Sequence, residues 1–457
     1  MSASASHPAV RDHCLAPGRA GDAPIFGGRY RRLFETLAPL EAEEARLHAL
    51  GVLGGPCDGG PLEASGNDDA SVEAGWPFFG QFVAHDITAD RSPLVDRADP
   101  DALRNYRTPR ANLESVYGGG PVGSPYLYER ADPARLLLGA RGIDVPRNAE
   151  GVALVGDPRN DSHLFMNQLQ VAFLRAHNLL VDRLRADGEP EASVFDEARS
   201  SLTWHYQWAL LHDFLPSLIG AELAARLLDR GGELYRVDGE PFIPFEFADA
   251  AYRYGHSQIR HRYRINDQQG ALPLFPDLVG FAPVRPEMAV DWSLLFDVAG
   301  RPAAQRAKRI DGRLPASLIN LPQAISGAVD DDVYRSLAAR DLQRGHATGL
   351  ASGEAVAREL GVEPLSTAEC GLAEHGWDGE TPLWLYILRE ADARQDGDRL
   401  GEVGGRIVGE VLVGIVDADL ESFRGAGEED WRPTLPSAEP GRYTLIDLLR
   451  APELAAP

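Results

Sequence analysis

The sequence predicts a mainly α-helical protein, and three observations carry that expectation. Apolar residues recur at helical spacing over long stretches, strand-like alternation is scarce, and the helical stretches are separated by long Gly/Pro-rich connections. The first such stretch, 76–88, mixes aromatic and aliphatic residues on a helical repeat. The next, 167–187, places Leu169, Ala172, Phe173, Leu180 and Leu184 on one face. Similar patterns run through 194–218, 245–261, 332–347 and 402–415. The connections 51–75, 89–125 and 266–305 are of a length that a compact domain tolerates mainly when they build binding or lid structures. Residues 1–25, rich in Ala, Ser, Pro and Gly, read as a mobile arm, and 26–457 reads as a single domain without internal repeat.

Composition narrows the function. A chain of 457 residues is long enough to enclose a cofactor. With 69 acidic against 45 basic side chains and a formal charge of -24, nucleic acid and anionic membrane surfaces would repel it, so both are excluded as partners. Lys308 is the only lysine, so nearly all positive charge is guanidinium, suited to fixed contacts with carboxylates; a high-GC genome produces the same bias. Cys14, Cys57 and Cys370 form no CxxC, which indicates neither a disulfide framework nor a structural zinc. The stretch up to Ile25 lacks an apolar signal core, and Glu410 interrupts the apolar run 407–416, so the default expectation is a soluble cytoplasmic protein, with export by another route left open.

Five segments carry candidate chemistry. In a helix over 76–88, Gln81 and His85 lie one turn apart and look into one apolar cavity, while Asp86, rotated by about 100°, serves a different site. In Thr108-Pro109-Arg110-Ala111-Asn112-Leu113-Glu114, oxygens from Thr108, Asn112, Glu114 and the Arg110 carbonyl alternate in the manner of a loop for a hard cation, or else form a polar surface loop. Gly156-Asp157-Pro158-Arg159-Asn160-Asp161 precedes a helix bearing Arg175-Ala176-His177-Asn178. Tyr252-Arg253-Tyr254-Gly255-His256 and Asp341-Leu342-Gln343-Arg344-Gly345 complete the set.

Together and in this order these segments resemble the animal-type haem peroxidases of the peroxidase–cyclooxygenase superfamily, bacterial members above all. Further similarity lies in Lys308-Arg309-Ile310-Asp311, Asn320-Leu321-Pro322 and the stretch from Leu400-Gly401-Glu402-Val403-Gly404 to Glu410, so the resemblance covers roughly residues 60 to 450. It implies a helical fold around a buried haem and assigns roles. His85 is the distal acid–base, general acid–base work being worth about 10²–10⁴ in rate; Arg159 is the distal cation, and Gln81 orders distal water or a halide. His256 is the iron ligand, with Gly255 permitting close approach of the porphyrin. Asp341, where familiar members have Asn, takes the imidazole N–H, and Arg253 and Arg344 face the haem propionates. The resemblance also implies a calcium ion held by Asp86 and the 108–114 loop, although Asn112 and Glu114 replace an Asp and a Ser of the best-studied members.

Departures refine these expectations. Mammalian members esterify haem through two carboxylates, where this chain has Ala84 and Ser162, so non-covalent haem b is expected; Asp161, one residue away, would revive an ester after a register shift. Cyclooxygenase members use a Tyr three residues before the proximal His. Arg253 stands there, and on a helix Tyr252 and Tyr254 point about 100° away. The implied activity is a haem peroxidase that reduces hydrogen peroxide and oxidises a small organic or halide donor through a ferryl intermediate. The alternatives are a fatty-acid dioxygenase of the same superfamily and a haem-binding scaffold without turnover.

Overall fold

Helix α1 (Trp76–Ile87) has apolar residues on every face, and the chain buries it accordingly: Phe78, Phe79, Phe82, Val83 and Ile87 are all at most 1% exposed. Pro77 fits its first turn, where the missing N–H would have had no intrahelical partner. In this computed structural model, which describes residues 30–60, 69–89, 103–327, 329 and 331–455, α1 packs against α2 (Leu164–Ala186) through two aromatic stacks. Phe78 lies 4.2 Å from Phe165 and Phe82 lies 4.6 Å from Phe173, centroid to centroid. Gly80 lets the next layer close in, because a Cβ there would come within 3.2 Å of Phe214 and 3.4 Å of the Tyr254 hydroxyl. The expected mobile arm 1–25 lies outside the described residues.

Helix α2 pairs with α3 (Val194–Ala209), which continues through one π-helical turn, Leu210–Phe214, into Leu215–Ile219. That wide turn carries Phe214 under Trp76 and Phe79 of α1. Further on, α4 (Leu337–Ala347) begins at Ser336, whose hydroxyl caps the Ala339 N–H. It packs on α5 (Leu383–Gln395), which in turn rests on α6 (Glu402–Asp417). Among the described residues, short two-stranded ladders pair Tyr30–Arg31 in parallel with Ile243–Pro244, and Asp69–Glu73 with Arg306–Lys308 and Arg262–Tyr263 with the nearby Leu272–Pro273 in antiparallel fashion. The mainly α class expected from the sequence is what the chain adopts, and no helix among the described residues is long and apolar enough to cross a membrane.

Two helix expectations fail in part. The stretch 332–347 is a 3₁₀ turn, Asp332–Arg335, and an extended Ser336 before the α-helix starts at Leu337. The stretch 245–261 is not a single α-helix but a short turn, Phe245–Ala248, and a 3₁₀ helix, Ala251–Gln258. The backbone breaks at Ala250, with φ -137° and ψ -79°. Tertiary contacts override helical propensity here. The buried Asp249 carboxylate is held 3.8 Å from Arg253 and 3.7 Å from Arg344, which anchors the chain at the break. The tighter winding aligns residues three apart, so Arg253 and His256 share a face.

Candidate active site

Helix α1, the 3₁₀ turn Pro158–Asp161, the 3₁₀ helix Ala251–Gln258 and the connection through Leu274 and Phe275 enclose a cavity of about 400 Å³. Gln81, His85, Arg159, Arg253 and His256 all line it, so five predicted residues from three distant segments meet at one site.

His85 reaches the cavity with its protonation state set from behind. Its Nδ1 lies 2.8 Å from Asn160 Oδ1, and Asn160 Nδ2 donates to Gln170 Oε1 at 2.8 Å. The amide oxygen therefore faces His85, Nδ1 must carry the hydrogen, and Nε2 keeps its lone pair. Burial, reinforced by the Arg159 charge and opposed by Asp157 and Asn160, lowers the imidazole from 6.5 to about 3. At neutral pH His85 is an unprotonated base.

Arg159 is fixed from two sides. Its backbone N–H and Nε donate to Asp157 Oδ1, each at 2.9 Å, and Nη2 donates to Asp157 Oδ2 at 2.8 Å and to the His85 and Thr88 carbonyls at 3.0 and 2.6 Å. Those carbonyls end α1, where a helix favours positive charge. Burial works against the Asp157 carboxylate, but hydrogen bonds and charge from Arg159, with His85 and Arg107, hold it well below the usual carboxylate range.

On the opposite wall His256 Nδ1 lies 2.6 Å from Asp341 Oδ2, so Asp341 takes the Nδ1 hydrogen and Nε2 is the nitrogen left to ligate. Asp341 is 1% exposed, and although burial opposes its ionisation, His256, Arg253 and Arg344 keep its carboxyl below the usual range. Its other oxygen is 3.2 Å from Arg253 Nη1. Gly255 faces open space, since a Cβ there would meet no protein atom within 4 Å, although the residue lines the cavity. A free imidazole nitrogen, a wall without a side chain and apolar surroundings such as Phe247, Leu274 and Leu321 fit a haem.

Arg344 does not line the cavity and lies 3.7 Å from Asp249, whereas Arg253 lines it and is held 3.2 Å from Asp341 and 3.8 Å from Asp249. In the expected cation loop Asp86 accepts from the Leu113 and Ser115 backbone N–H groups at 2.9 and 3.1 Å, and Glu114 pairs with Arg107 at 2.9 Å. Among the described residues no group of three or more His, Cys, Asp or Glu side chains could hold a metal. Tyr252 and Tyr254 both line the cavity, although α-helical spacing had directed them elsewhere.

Two residues escaped the sequence reading. Asn160 follows Arg159 in a quoted motif, yet only the fold brings it behind His85. His163, buried ahead of α2, lines the cavity with Nε2 2.9 Å from Gln81 Oε1, and burial lowers it to about 3.

Ala84 and Ser162, at the two ester positions, line the cavity, whereas Asp161 is gripped by Arg147 at 2.7 and 2.8 Å and lies outside the lining.

A cavity of this build fits the class of haem-binding proteins, and comparison with known proteins agrees. Residues 101–371 match the animal haem peroxidase family model, and the chain belongs to that family. Its sequence is 27% identical over 234 residues to chorion peroxidase of Drosophila melanogaster, covering 47% of this chain and 27% of that protein. It is 28% identical over 163 residues to human lactoperoxidase, covering 34% and 21%. The chain thus spans about a quarter or less of the length of these relatives. In fold it is similar to peroxidase A of Dictyostelium discoideum, with a TM-score of 0.67 at 14% identity over 94% of each chain. Fatty acid alpha-dioxygenase of Oryza sativa follows with a TM-score of 0.60 at 17% identity over 87% of this chain and 74% of that one.

Proposed function

We propose that the protein is a haem-dependent peroxidase that reduces hydrogen peroxide to water and oxidises a small organic or halide donor. The observation that carries this reading is His85, a neutral base whose Nε2 is left free by Asn160, sharing a cavity with the Asp341-bound His256.

His256 would hold the haem iron through Nε2, with Asp341 fixing its tautomer and strengthening it as a donor. Bound haem supplies the redox centre that takes two electrons' worth of oxidation from peroxide and passes it to the donor. The rest belongs to the side chains. His85 Nε2 accepts the proton of the binding peroxide oxygen and returns it to the departing oxygen, which leaves as water. Arg159, immobilised by Asp157 and the end of α1, presents positive charge where negative charge develops as the O–O bond breaks. His163 holds the Gln81 oxygen, which turns the Gln81 NH₂ group towards neighbouring water or anion. With no carboxylate among the lining residues, haem b would be held without ester links.

One observation favours a second reading, a fatty-acid dioxygenase. Tyr252 lines the cavity with its buried hydroxyl unpartnered among the described residues, a placement from which a phenolic oxygen can take part in oxidation chemistry.

The absorption spectrum of the purified protein before and after peroxide tests the proposal. A haem band that shifts with peroxide and returns when a phenolic donor is added is expected. An unchanged spectrum in His256→Ala would overturn the ligand assignment.

A further inference from the structure

The divalent cation that the family resemblance implies does not fit the residues present, and a side chain stands in its place. All the side-chain oxygens expected to ligate it face hydrogen donors. Asp86 Oδ2 accepts from Leu113 N–H at 2.9 Å, and Oδ1 from the Ser115 N–H and hydroxyl, each at 3.1 Å. Glu114 Oε2 accepts from the Thr108 N–H and hydroxyl at 3.2 and 2.8 Å, and Asn112 Oδ1 accepts from Glu114 N–H at 3.1 Å. The guanidinium that meets the loop carboxylate Glu114 is Arg107, just before the loop, with its side chain 8% exposed. Its Nη1 is 2.9 Å from Glu114 Oε1, while Nη2 reaches the Gly156 carbonyl at 2.8 Å and Asp157 Oδ2 at 2.7 Å.

We infer that the Arg107 guanidinium replaces the divalent cation and makes the loop metal-independent, and that it positions Arg159 through their shared partner Asp157. A planar fork spans Glu114, the Gly156 carbonyl and Asp157 at once, which ties the 108–114 loop directly to the loop carrying Arg159. The same Asp157 Oδ2 accepts from Arg159 Nη2 at 2.8 Å, so movement of Arg107 is passed to the distal guanidinium. Asp86, freed from metal ligation, holds the loop by hydrogen bonds alone. These bonds keep Leu113 in the left-handed region, at φ 58°.

The wild-type holoenzyme gives the first test. Elemental analysis after gel filtration should find no stoichiometric calcium, and the melting temperature should be the same in excess EGTA as in excess calcium chloride. Stoichiometric calcium, or a lower melting temperature in EGTA, would overturn the replacement. Arg107→Gln should melt several degrees lower, unrestored by calcium, and a wild-type melting curve would contradict the role. For positioning, the folded Arg107→Lys protein keeps the charge but not the fork. Its ferric haem should bind cyanide about tenfold more weakly than wild type, a change that loss of loop stability alone does not produce. Wild-type cyanide affinity in Arg107→Lys would refute the link to Arg159.

Discussion

Asn160 Oδ1 sits 2.8 Å from His85 Nδ1, and because Asn160 Nδ2 is committed to Gln170, the contact permits only one tautomer of the imidazole. The base of the proposed reaction is thus chosen by a residue that does not line the cavity. Replacing Asn160 by Ala should let Nδ1 and Nε2 compete for the proton and the ring rotate. Peroxide-dependent turnover should fall about tenfold while haem content stays constant, the free energy of one hydrogen bond to the base. Unaltered turnover with full haem would show that the tautomer is set by something else.

The pH dependence of activity follows from the same burial. With His85 lowered from 6.5 to about 3, kcat/KM should show no acid limb centred near 6.5. Arg159 and the neighbouring His163 disfavour the imidazolium further, beyond the opposing Asp157. A pH–rate profile that loses half its height near 6.5 would contradict this.

Stability should respond to acid over the same interval. His85 and His163 are lowered to about 3 and His177, His205 and His212 to about 4, so unfolded imidazoles take up protons from 6.5 downward while the folded ones resist. Their contribution is complete above 6.5 and is lost as pH falls towards 4. Asp86 and Asp213, raised to about 6, and Glu390, raised to about 7, act in the opposite sense over part of this window, as do Glu246, Asp392 and Asp419, whose carboxyls burial also raises; the five imidazoles, lowered further and across the whole window, outweigh them. The melting temperature should therefore be lower at about pH 5 than at neutrality. An equal or higher value would mean that the carboxylates dominate.

Haem should leave the denatured protein unmodified. Ala84 and Ser162 at the cavity wall carry no carboxylate to esterify the haem, and Asp161 is held away by Arg147 and Asn167. Acidified organic solvent should extract the whole of the pigment. Porphyrin retained on the polypeptide would require a carboxylate to reach the cavity from elsewhere.

Oxygen uptake separates the two enzymatic readings. Arg253, in the place of the radical-forming Tyr, is engaged by Asp341 and cannot be oxidised as a phenol, so no oxygen consumption is expected with oleate or linoleate. Hydroperoxide formation from either acid that disappears in Tyr252→Phe would overturn the peroxidase reading.

The distribution of successes along the chain has a physical cause. Helices such as Leu164–Ala186 and Glu402–Asp417 were legible because burying one face imposes a repeat on the sequence. The meeting of Gln81, His85, Arg159 and His256 was legible through family motifs and not through spacing, since an isolated histidine carries no mark of its surroundings. What escaped depends on contacts between segments far apart. The 3₁₀ winding of 251–258 answers to Asp249, Arg253 and Arg344. Arg107 precedes the expected cation loop by one residue, but its role exists only because Asp157 arrives 2.7 Å away. A pattern of alternating oxygens is the same whether it faces a metal ion or an N–H.

The central claim is that His85 is the proton-transfer group of a haem peroxidase. The most direct measurement is steady-state peroxide-dependent oxidation of a phenolic donor by wild type and His85→Ala, both matched for haem content. The variant should lose about 10²–10⁴ in kcat/KM for peroxide, with its resting haem spectrum retained. Equal rates in the two proteins, or no peroxide-dependent turnover in wild type with haem bound, would contradict it.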